Sequence, residues 1–272
     1  MTESIVFGTV VYSSVIPFLD DFFSCLALQT YKNFKLLIIN EDVPKEILNK
    51  KLAKFIFDYY LIDTPATESV IGHRIRLIKT AYELGADLII FGDADDCFSN
   101  NRVEKICLEY VHEKEAFYYN EIRYMGYNKK ICSIPNAIKD ISVIMQSNFL
   151  GMSNTAVNLK MLNTMFIDSL WECNTPIFDW YFYSRLLLNI GCGKYCDGAI
   201  TYYRIHDENI AGKMQKNEDN IAKELNIKRS HYQLMQRYSK EYKQLLLNFD
   251  QFQCETGLIK NCYWWGLTKI EM

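Results

Sequence analysis

Hydrophobic positions in the first 110 residues follow two alternating periods. Four short runs rich in apolar and β-branched residues have the pattern of buried strands: residues 5–12, 35–40, 57–62 and 88–91. Three stretches between them carry apolar side chains at three- and four-residue steps, as amphipathic helices do: residues 18–29, 44–54 and 72–84. Strands that alternate with helices form βαβ units. The pattern therefore predicts an α/β fold with a mostly parallel sheet flanked by helices.

The pattern is less regular beyond residue 115. It predicts two more strands and two more helices, the strands at residues 116–124 and 199–204 and the helices near residues 155–165 and 178–189. From Asn217 to Phe249, apolar residues keep helical spacing with charged residues between them, which predicts a long amphipathic helix or a helix pair. We therefore expect a main domain over residues 1–212 and a helical C-terminal extension over residues 213–272.

Composition and charge narrow the classes of function. Hydrophobic residues make up 49% of the 272-residue chain, enough for a large globular core. With 33 acidic and 30 basic residues the chain has no basic excess, so we expect no nucleic-acid partner. The nine cysteines include no Cys-x-x-Cys pair, which predicts reduced thiols rather than disulfides or a zinc site. Because no apolar run is long enough to span a bilayer and no signal-peptide pattern is present, we expect a cytoplasmic protein.

Three acidic residues, Asp93, Asp95 and Asp96, follow the strand predicted at residues 88–91. Carboxylates crowded at the end of a strand repel one another unless a cation neutralises them, and ligands bind at that end of open α/β sheets. Oxygen ligands suit Mg²⁺ or Mn²⁺, which proteins hold through one or two carboxylates and substrate phosphates. The cluster therefore predicts a divalent cation with a nucleotide diphosphate or a similar ligand. A solvated acidic turn that caps the following helix would give the same pattern.

Four separated parts of the chain resemble, in order, the GT-A type glycosyltransferases, in particular family 2, which builds surface polysaccharides. They are the first strand with the passage Leu-Gln-Thr-Tyr-Lys-Asn-Phe-Lys that ends at residue 35, the Asn-Glu-Asp that ends at residue 42, residues 72–96, and residues 178–187 with 203–212. The resemblance implies a Rossmann-like GT-A fold. It also implies metal-dependent, inverting transfer of a sugar from a nucleotide-diphosphate sugar to a hydroxyl of a glycan or lipid-linked acceptor.

The resemblance implies roles for the residues around the acidic cluster. Asp95 would bind the cation, Mn²⁺ or Mg²⁺, and Asp93 would contact the ribose or the metal. In the segment Tyr-Arg-Ile-His, Arg204 would contact a phosphate and His206 the metal or the diphosphate. The cation would neutralise the charge that develops on the departing diphosphate. A hydrogen-bonded loop position is the plainer interpretation of His206.

Four further residues match family positions around the nucleotide. Thr9 and Tyr12 at the end of the first strand would flank the base, although ordinary strand packing would also explain them. Glu41 follows the second strand, where the family has an acidic pair that contacts the base and ribose. Arg74 matches an Arg on the phosphate or base side, and an alignment shifted by two residues would assign that role to Arg76.

Asp179 matches the carboxylate that takes a proton from the acceptor hydroxyl. Taken alone, an Asp at the start of a helix is also explained by the helix dipole. The chain departs from the family where Asn40 replaces one acid after the second strand and Phe178 replaces the acid before the catalytic Asp. These departures support an alternative function, a degenerate relative that binds nucleotide sugars or glycans without catalysis.

Two other enzyme classes fit the sequence less well. A phosphatase that uses Asp-x-Asp carries these acids after its first strand, whereas Asp93 follows the fourth. The segment Gln-x-x-Arg-Trp, which is typical of processive synthases in the family, is absent from the sequence. We therefore expect transfer of a single sugar, with peripheral rather than membrane-spanning contact with a membrane.

Two sets of residues have no role in this interpretation. The aromatic cluster at residues 263–265, Tyr-Trp-Trp, indicates a membrane-interface anchor, a partner contact or packing against its own domain. Three histidines lack neighbours at metal-ligand spacing and are interpreted as structural or surface residues: His73, His112 and His231.

Overall fold

The computed structural model describes residues 3–65, 67–127, 129–205, 217–251 and 263–270. Within these residues nine strands form one sheet: β1 Ile5–Val11, β2 Lys35–Asn40, β3 Tyr59–Asp63, β4 Leu88–Phe91, β5 Cys97–Phe98, β6 Phe117–Tyr124, β7 Ala137–Ile138, β8 Thr155–Asn158 and β9 Gly193–Tyr203. Eight α-helices accompany it over the same residues: α1 Leu19–Ala27, α2 Lys45–Leu52, α3 Val70–Glu83, α4 Arg102–His112, α5 Thr164–Ser169, α6 Phe178–Asn189, α7 Glu218–Met235 and α8 Lys240–Gln251. The predicted α/β fold is confirmed.

Parallel strands occupy one half of the sheet. The strand order is β3-β2-β1-β4-β8-β6-β9-β5, and β7 pairs with β9. The first four strands in this order are parallel, whereas β8 is antiparallel to both of its neighbours, β4 and β6. Because β1, β2 and β4 are parallel, their carboxyl ends meet at one edge of the sheet. The residues that follow Val11, Asn40 and Phe91 therefore lie side by side.

Apolar side chains pack on both faces of the sheet. Residues 36–39 of β2 are all fully buried, although successive side chains of a strand point to opposite faces. On one face, α1 contributes Phe22 and Phe23 to the core, and on the other, α3 contributes Ile75 and Ile78. This double coverage explains why β2 is a continuous apolar run rather than an alternating one.

The region between residues 155 and 165 departs from the predicted secondary structure. The helix expected over residues 155–165 was wrong, because Thr155–Asn158 is strand β8 and pairs with β4 and β6. Contacts with strands distant in sequence outweighed a weak helical period here. Helix α5 begins only at Thr164, where the side chain of Asn163 accepts a hydrogen bond from the backbone N–H of Phe166. The strand expected over residues 199–204 is the second half of β9.

The C-terminal helices pack against α6. Helices α7 and α8 confirm the prediction of a helix pair. The His231 ring of α7 stacks on the Trp180 ring of α6 with their centroids 4.2 Å apart, and the hydroxyls of Tyr242 and Ser184 lie 3.2 Å apart. These residues join the core on the α3 face of the sheet. None of the helices in the described ranges is long and apolar enough to cross a membrane.

Candidate active site

A cavity of about 400 Å³ opens at the carboxyl ends of β1, β2 and β4. Its lining includes seven residues that the sequence predicted for the site: Thr9, Tyr12, Glu41, Arg74, Asp93, Asp95 and Asp179. Parallel strand pairing explains why Thr9, Tyr12 and Glu41 lie near the two acids after β4. All five residues are at or just beyond the carboxyl ends of strands that meet at one edge of the sheet. Helices α3 and α6 bring Arg74 and Asp179 to the same space.

One wall of the cavity is formed by the ends of β1 and β2. Thr9 is buried, and its hydroxyl has no hydrogen-bond partner among the described residues. The backbone N–H of Glu41 donates to the carbonyl of Val11 at 2.9 Å, which fixes the start of the loop after β2. The Glu41 carboxylate is about one-third exposed and faces the cavity. A ligand in the cavity can reach the Glu41 carboxylate, whereas the Thr9 hydroxyl is buried in the wall.

A buried histidine, His73, lies behind this wall. Nothing in the sequence indicated that this histidine is near the site. His73 Nε2 is 3.6 Å from Glu41 Oε2, and His73 Nδ1 is 3.7 Å from Glu68 Oε2. Both ring nitrogens are buried and make no hydrogen bond within the described residues. His73 had no signal in the sequence beyond its place on α3, one residue before Arg74.

The acidic loop after β4 divides into two parts. Asp93 and Asp95 line the cavity, whereas Asp96 is buried outside its lining. Asp96 Oδ2 accepts a hydrogen bond from Ser153 Oγ at 2.5 Å, and Asp96 Oδ1 accepts one from the backbone N–H of Arg204 at 2.9 Å. Asp96 therefore holds the loop in place while the other two carboxylates face the ligand space.

Negative charge is concentrated in this loop. Burial, reinforced by the charge of Asp95 and opposed by that of Arg74, raises the pKa of Asp93 to about 7. Burial, with the charges of Asp95 and Asp93, also raises the pKa of Asp96 well above its usual value. A divalent cation would relieve this repulsion. Among the described residues, no group of three His, Cys, Asp or Glu side chains is arranged to hold a metal. Proteins commonly hold Mg²⁺ through one or two carboxylates together with substrate phosphates.

Arg204 lies behind the acidic loop and is not part of the cavity lining. Its Nε donates to the carbonyl of Asp95 at 2.8 Å, its Nη2 pairs with Asp21 Oδ2 at 2.8 Å, and its guanidinium lies over the Phe18 ring. These contacts tie the loop to α1. The phosphate contact expected for Arg204 stays a prediction, and His206 lies outside the described residues.

Asp179 forms an ion pair with Arg74 inside the cavity. Asp179 is in the first turn of α6, and its Oδ1 lies 2.5 Å from Arg74 Nη1. Burial raises the pKa of Asp179, although the charge of Arg74 acts against this shift. Burial alone would lower the pKa of the Arg74 guanidinium. The negative charges of Asp179 and Asp93 outweigh this effect, so the pKa is raised. A carboxylate with a raised pKa is a better proton acceptor than an ordinary one.

The structure shows which of the two candidate arginines, Arg74 or Arg76, lines the cavity. Arg76 points away from the cavity lining and pairs with Glu68 through two hydrogen bonds, of 2.8 and 2.9 Å. Arg74 alone of the two lies in the cavity. Side chains that are two positions apart on an α-helix point about 200° apart around the helix axis, so these two arginines lie on opposite sides of α3.

The structure adds a wall that the sequence did not predict. The loop before β8 and the C-terminal segment line the cavity through Asn148, Gly151, Ser153, Trp264 and Trp265, among others. The backbone N–H of Asn148 donates to the carbonyl of Trp264 at 3.0 Å, which joins the two segments. Of the interpretations given to the aromatic cluster, packing against its own domain agrees with this arrangement. The only sequence signal for this wall is the cluster itself.

Comparisons with known proteins agree with the predicted fold. No family model matches the chain, and no curated protein sequence matches it. In structure, the chain is similar to S. aureus TarS in complex with UDP-GlcNAc, with a TM-score of 0.63 and 12% identity over 90% of this chain and 72% of that one. It is also similar to the mannosyltransferase PcManGT from Pyrobaculum calidifontis in complex with GDP-Man and Mn²⁺, with a TM-score of 0.58 and 8% identity over 90% of this chain and 68% of that one.

A third similar structure is GalNAc-T7 with UDP, GalNAc and Mn²⁺, with a TM-score of 0.56 and 10% identity over 90% of this chain and 50% of that one. At these identities the similarity establishes the fold. The chain has the GT-A glycosyltransferase fold that the sequence motifs predicted. Membership of family 2 stays a prediction.

Proposed function

We propose that this protein is a metal-dependent glycosyltransferase that moves one sugar, with inversion, from a nucleotide-diphosphate sugar to a hydroxyl of a glycan or lipid-linked acceptor in surface polysaccharide synthesis. The observation that carries the proposal is one cavity lined by Asp93, Asp95 and the Arg74–Asp179 pair in a GT-A fold. A lipid-linked acceptor would bring the enzyme to the inner face of a membrane. We retain the division into residues 1–212 and a C-terminal extension as part of this proposal.

The wall formed by β1 and β2 is the proposed binding site for the nucleoside. Thr9 and Tyr12 would contact the base, and the exposed part of the Glu41 carboxylate would accept hydrogen bonds from the base or ribose. TarS was solved with UDP-GlcNAc and PcManGT with GDP-Man, so this fold accommodates a pyrimidine or a purine base. The identity of the base is therefore left to the binding experiment.

The proposed metal is Mn²⁺ or Mg²⁺, held by Asp95 and Asp93 with His206 as a further ligand. The donor set supports a hard cation, because both carboxylates line the cavity, where burial and then the charge of Asp95 raise the pKa of Asp93. When bound, the cation supplies positive charge beside the diphosphate as its bond to the sugar breaks. Arg204 holds the loop that carries Asp95, which supports a structural contribution in addition to the predicted phosphate contact.

Asp179 is the proposed general base. It would take the proton of the acceptor hydroxyl while that oxygen forms a bond to the anomeric carbon of the donor. The electron pair of the old glycosidic bond would leave with the diphosphate, so one bond forms and one breaks on opposite sides of the carbon. Arg74, 2.5 Å from Asp179, would orient the carboxylate for this step. It also lies close enough to influence the charge of Asp93.

Asn40 and Phe178, the two departures from the family pattern, are buried in the fold and lie outside the cavity lining. Asn40 is buried, and its amide donates to the carbonyl of Val43 and to Asp63 Oδ1. Phe178 is buried, and its ring is stacked 5.6 Å from that of Phe182. Neither residue lines the cavity. Both observations favour an active enzyme over the degenerate relative.

The test combines binding with turnover. Calorimetry would compare UDP, GDP, CDP and dTDP, each with Mn²⁺, with Mg²⁺ or with a chelator, for the native protein and for Asp95→Ala. We expect one nucleotide to bind only with metal and Asp95→Ala to lose that binding. The matched control is Asp197→Ala, because Asp197 is an exposed acid on β9 outside the cavity lining. Absence of binding by every nucleotide would refute the proposal.

Turnover separates the enzyme from the alternative function. With the nucleotide identified, the corresponding nucleotide sugars would be assayed for transfer and for slow hydrolysis to free sugar. Release of the nucleotide that depends on both metal and Asp179 supports a transferase. Tight metal-dependent binding without release from any donor would instead identify a non-catalytic binding protein.

A further inference from the structure

The C-terminal segment, residues 263–270, is fastened to the domain by buried polar groups. The Glu224 carboxylate accepts hydrogen bonds from the backbone N–H groups of Leu267 and Thr268 and from the Thr268 hydroxyl, at 2.7–3.0 Å. Lys228 donates to the carbonyl of Thr268 and lies 3.2 Å from Glu224. Both charged side chains are fully buried. Burying an ion pair is costly unless its hydrogen bonds are satisfied, so this segment is held in one position.

The backbone within this segment is strained. Trp265 has a φ of 62°, the only positive value at a non-glycine residue in the described part of the chain. A bulky residue in this region is a genuine outlier, and such strain persists only where surrounding contacts impose it. Here the ring of Trp265 is buried, and the carbonyl of Trp264 is held by the N–H of Asn148. The strained turn lets two consecutive tryptophans both line the cavity.

Trp264 lies beside the proposed base. A Cβ atom placed on Gly151 would be 3.6 Å from Trp264 Cζ3 and 3.7 Å from Asp179 Oδ2. The ring of Tyr203 lies 6.1 Å from that of Trp264, so two aromatic rings border this end of the cavity. Gly151 has an ordinary extended backbone, with φ −120° and ψ 170°. The backbone at Gly151 does not require glycine. The missing side chain instead leaves a gap between the Trp264 indole and the Asp179 carboxylate.

From this arrangement we propose that Trp264 is the aromatic platform of an acceptor subsite and stacks on a pyranose ring whose hydroxyl faces Asp179. The assignment rests on the proposed transferase function, and it names the acceptor group as a sugar. A pyranose has a face of C–H groups that packs on an indole, while its hydroxyls remain free for hydrogen bonds at the edge. Aromatic side chains with a few polar groups are typical of ligand pockets.

The experiment measures sugar binding without turnover. Saturation-transfer NMR would be recorded with the methyl β-glycosides of glucose, galactose, N-acetylglucosamine and N-acetylgalactosamine, both without nucleotide and with the nucleotide and metal that bind best. We expect saturation of ring C–H protons in at least one glycoside. In Trp264→Ala its affinity should fall about tenfold, whereas Trp264→Phe should retain most of it because an aromatic face is kept.

Two further variants control for folding and for nonspecific contact. Trp171→Ala removes a half-exposed tryptophan outside the cavity lining and should leave glycoside binding unchanged. Gly151→Val should also abolish binding, because its methyl groups would occupy the gap between Trp264 and Asp179 while the indole remains in place. Circular dichroism and thermal unfolding would establish that each variant is folded. Equal binding by Trp264→Ala and the native protein would overturn the proposal, as would binding of none of the four glycosides by the native protein.

Nucleotide calorimetry on the same proteins separates this proposal from the general function. We expect Trp264→Ala to bind the nucleotide and metal as the native protein does. Nucleotide binding without glycoside binding would reject the subsite and leave the transferase proposal standing. Glycoside binding through Trp264 in a protein that binds no nucleotide would reject the transferase and retain the aromatic platform.

Discussion

Arg74 Nη1 lies 2.5 Å from Asp179 Oδ1, so that helix α3 and the first turn of α6 are joined by an ion pair inside the cavity. The sequence resemblance linked Arg74 to the nucleotide and Asp179 to the acceptor, with no relation between them. In the structure burial raises the pKa of both Asp93 and Asp179, and the positive charge of Arg74 acts against both shifts. Donor and acceptor ends of the proposed site therefore share one charged side chain.

Replacing Asp179 tests its assignment as the base. In Asp179→Asn we expect the transfer rate to fall at least about 100-fold, because general-base catalysis contributes roughly that much. Nucleotide affinity measured by calorimetry should stay within a few-fold of the native value. A variant that transfers sugar at the native rate would exclude Asp179 from the chemistry.

Replacing Arg74 tests the ion pair through the pH profile. Arg74→Gln removes a charge that lowers the pKa of Asp179, so this pKa should rise further. The base would then be protonated over a wider range, and the acidic limb of the rate profile should move to higher pH by about one unit. Arg76→Gln is the matched control, because Arg76 pairs with Glu68 outside the cavity lining. Identical pH profiles for the two variants would contradict the role of Arg74.

Asp96 is predicted to support the loop that carries Asp95. Asp96→Ala would leave the N–H of Arg204 and the hydroxyl of Ser153 without their acceptor, at a cost of about 1–3 kcal/mol in the free energy of unfolding. Asp96→Asn should cost less, because an amide oxygen can accept from the N–H and the amide group can donate to Ser153. Urea unfolding measures both effects. Equal stability of the Ala variant and the native protein would refute this role.

Gly92 is predicted to tolerate no side chain. A Cβ atom there would lie 2.6 Å from ring atoms of both Phe7 and Phe98, far inside van der Waals contact. Gly92→Ala should therefore destabilise the fold by about 1–3 kcal/mol through overpacking. Because Gly92 precedes Asp93, nucleotide affinity should also fall. The control is Gly191→Ala, whose Cβ would meet its nearest neighbour at 3.4 Å, and denaturant unfolding would compare the two.

His231 is predicted to make the fold sensitive to acid. Burial lowers the pKa of His231 from its ordinary value of 6.5 to about 3. Between these two values the unfolded chain binds a proton that the folded protein does not, so this contribution to stability falls as the pH falls. The expected slope is about 1.4 kcal/mol per pH unit from this one group.

Unfolding free energies at pH 6 and 5 would measure that slope. His231→Phe should reduce it while keeping a ring against Trp180. His112→Gln is the control, because His112 is exposed at the end of α4 and should leave the slope unchanged. A slope that is the same with and without His231 would contradict the prediction.

The amino-acid sequence by itself determined the strands and helices of the parallel half of the sheet and the edge at which the acidic residues lie. Residues 35–40 are strand β2 as predicted, because a run this apolar is stable only when both of its faces are covered. Helix α6 also spans the predicted residues, Phe178–Asn189. The carboxyl ends of parallel strands coincide, so the order of strands and helices was enough to bring Glu41 and Asp93 to one cavity.

Only the tertiary structure decided which side chains meet there. Arg74 and Asp179 are 105 positions apart in the sequence, and Asp96 and Arg204 are 108 positions apart. A local hydrophobic pattern cannot predict contacts between residues so far apart in the chain. Strand β8 was mistaken for a helix for the same reason, since its pairing with β4 and β6 comes from distant segments. Trp264 reaches the cavity because buried contacts of Glu224 and Lys228 fasten the C-terminal segment. Local periodicity specifies an element where the pattern is strong, whereas long-range packing and buried charge pairing specify the weakly patterned strand β8 and the site.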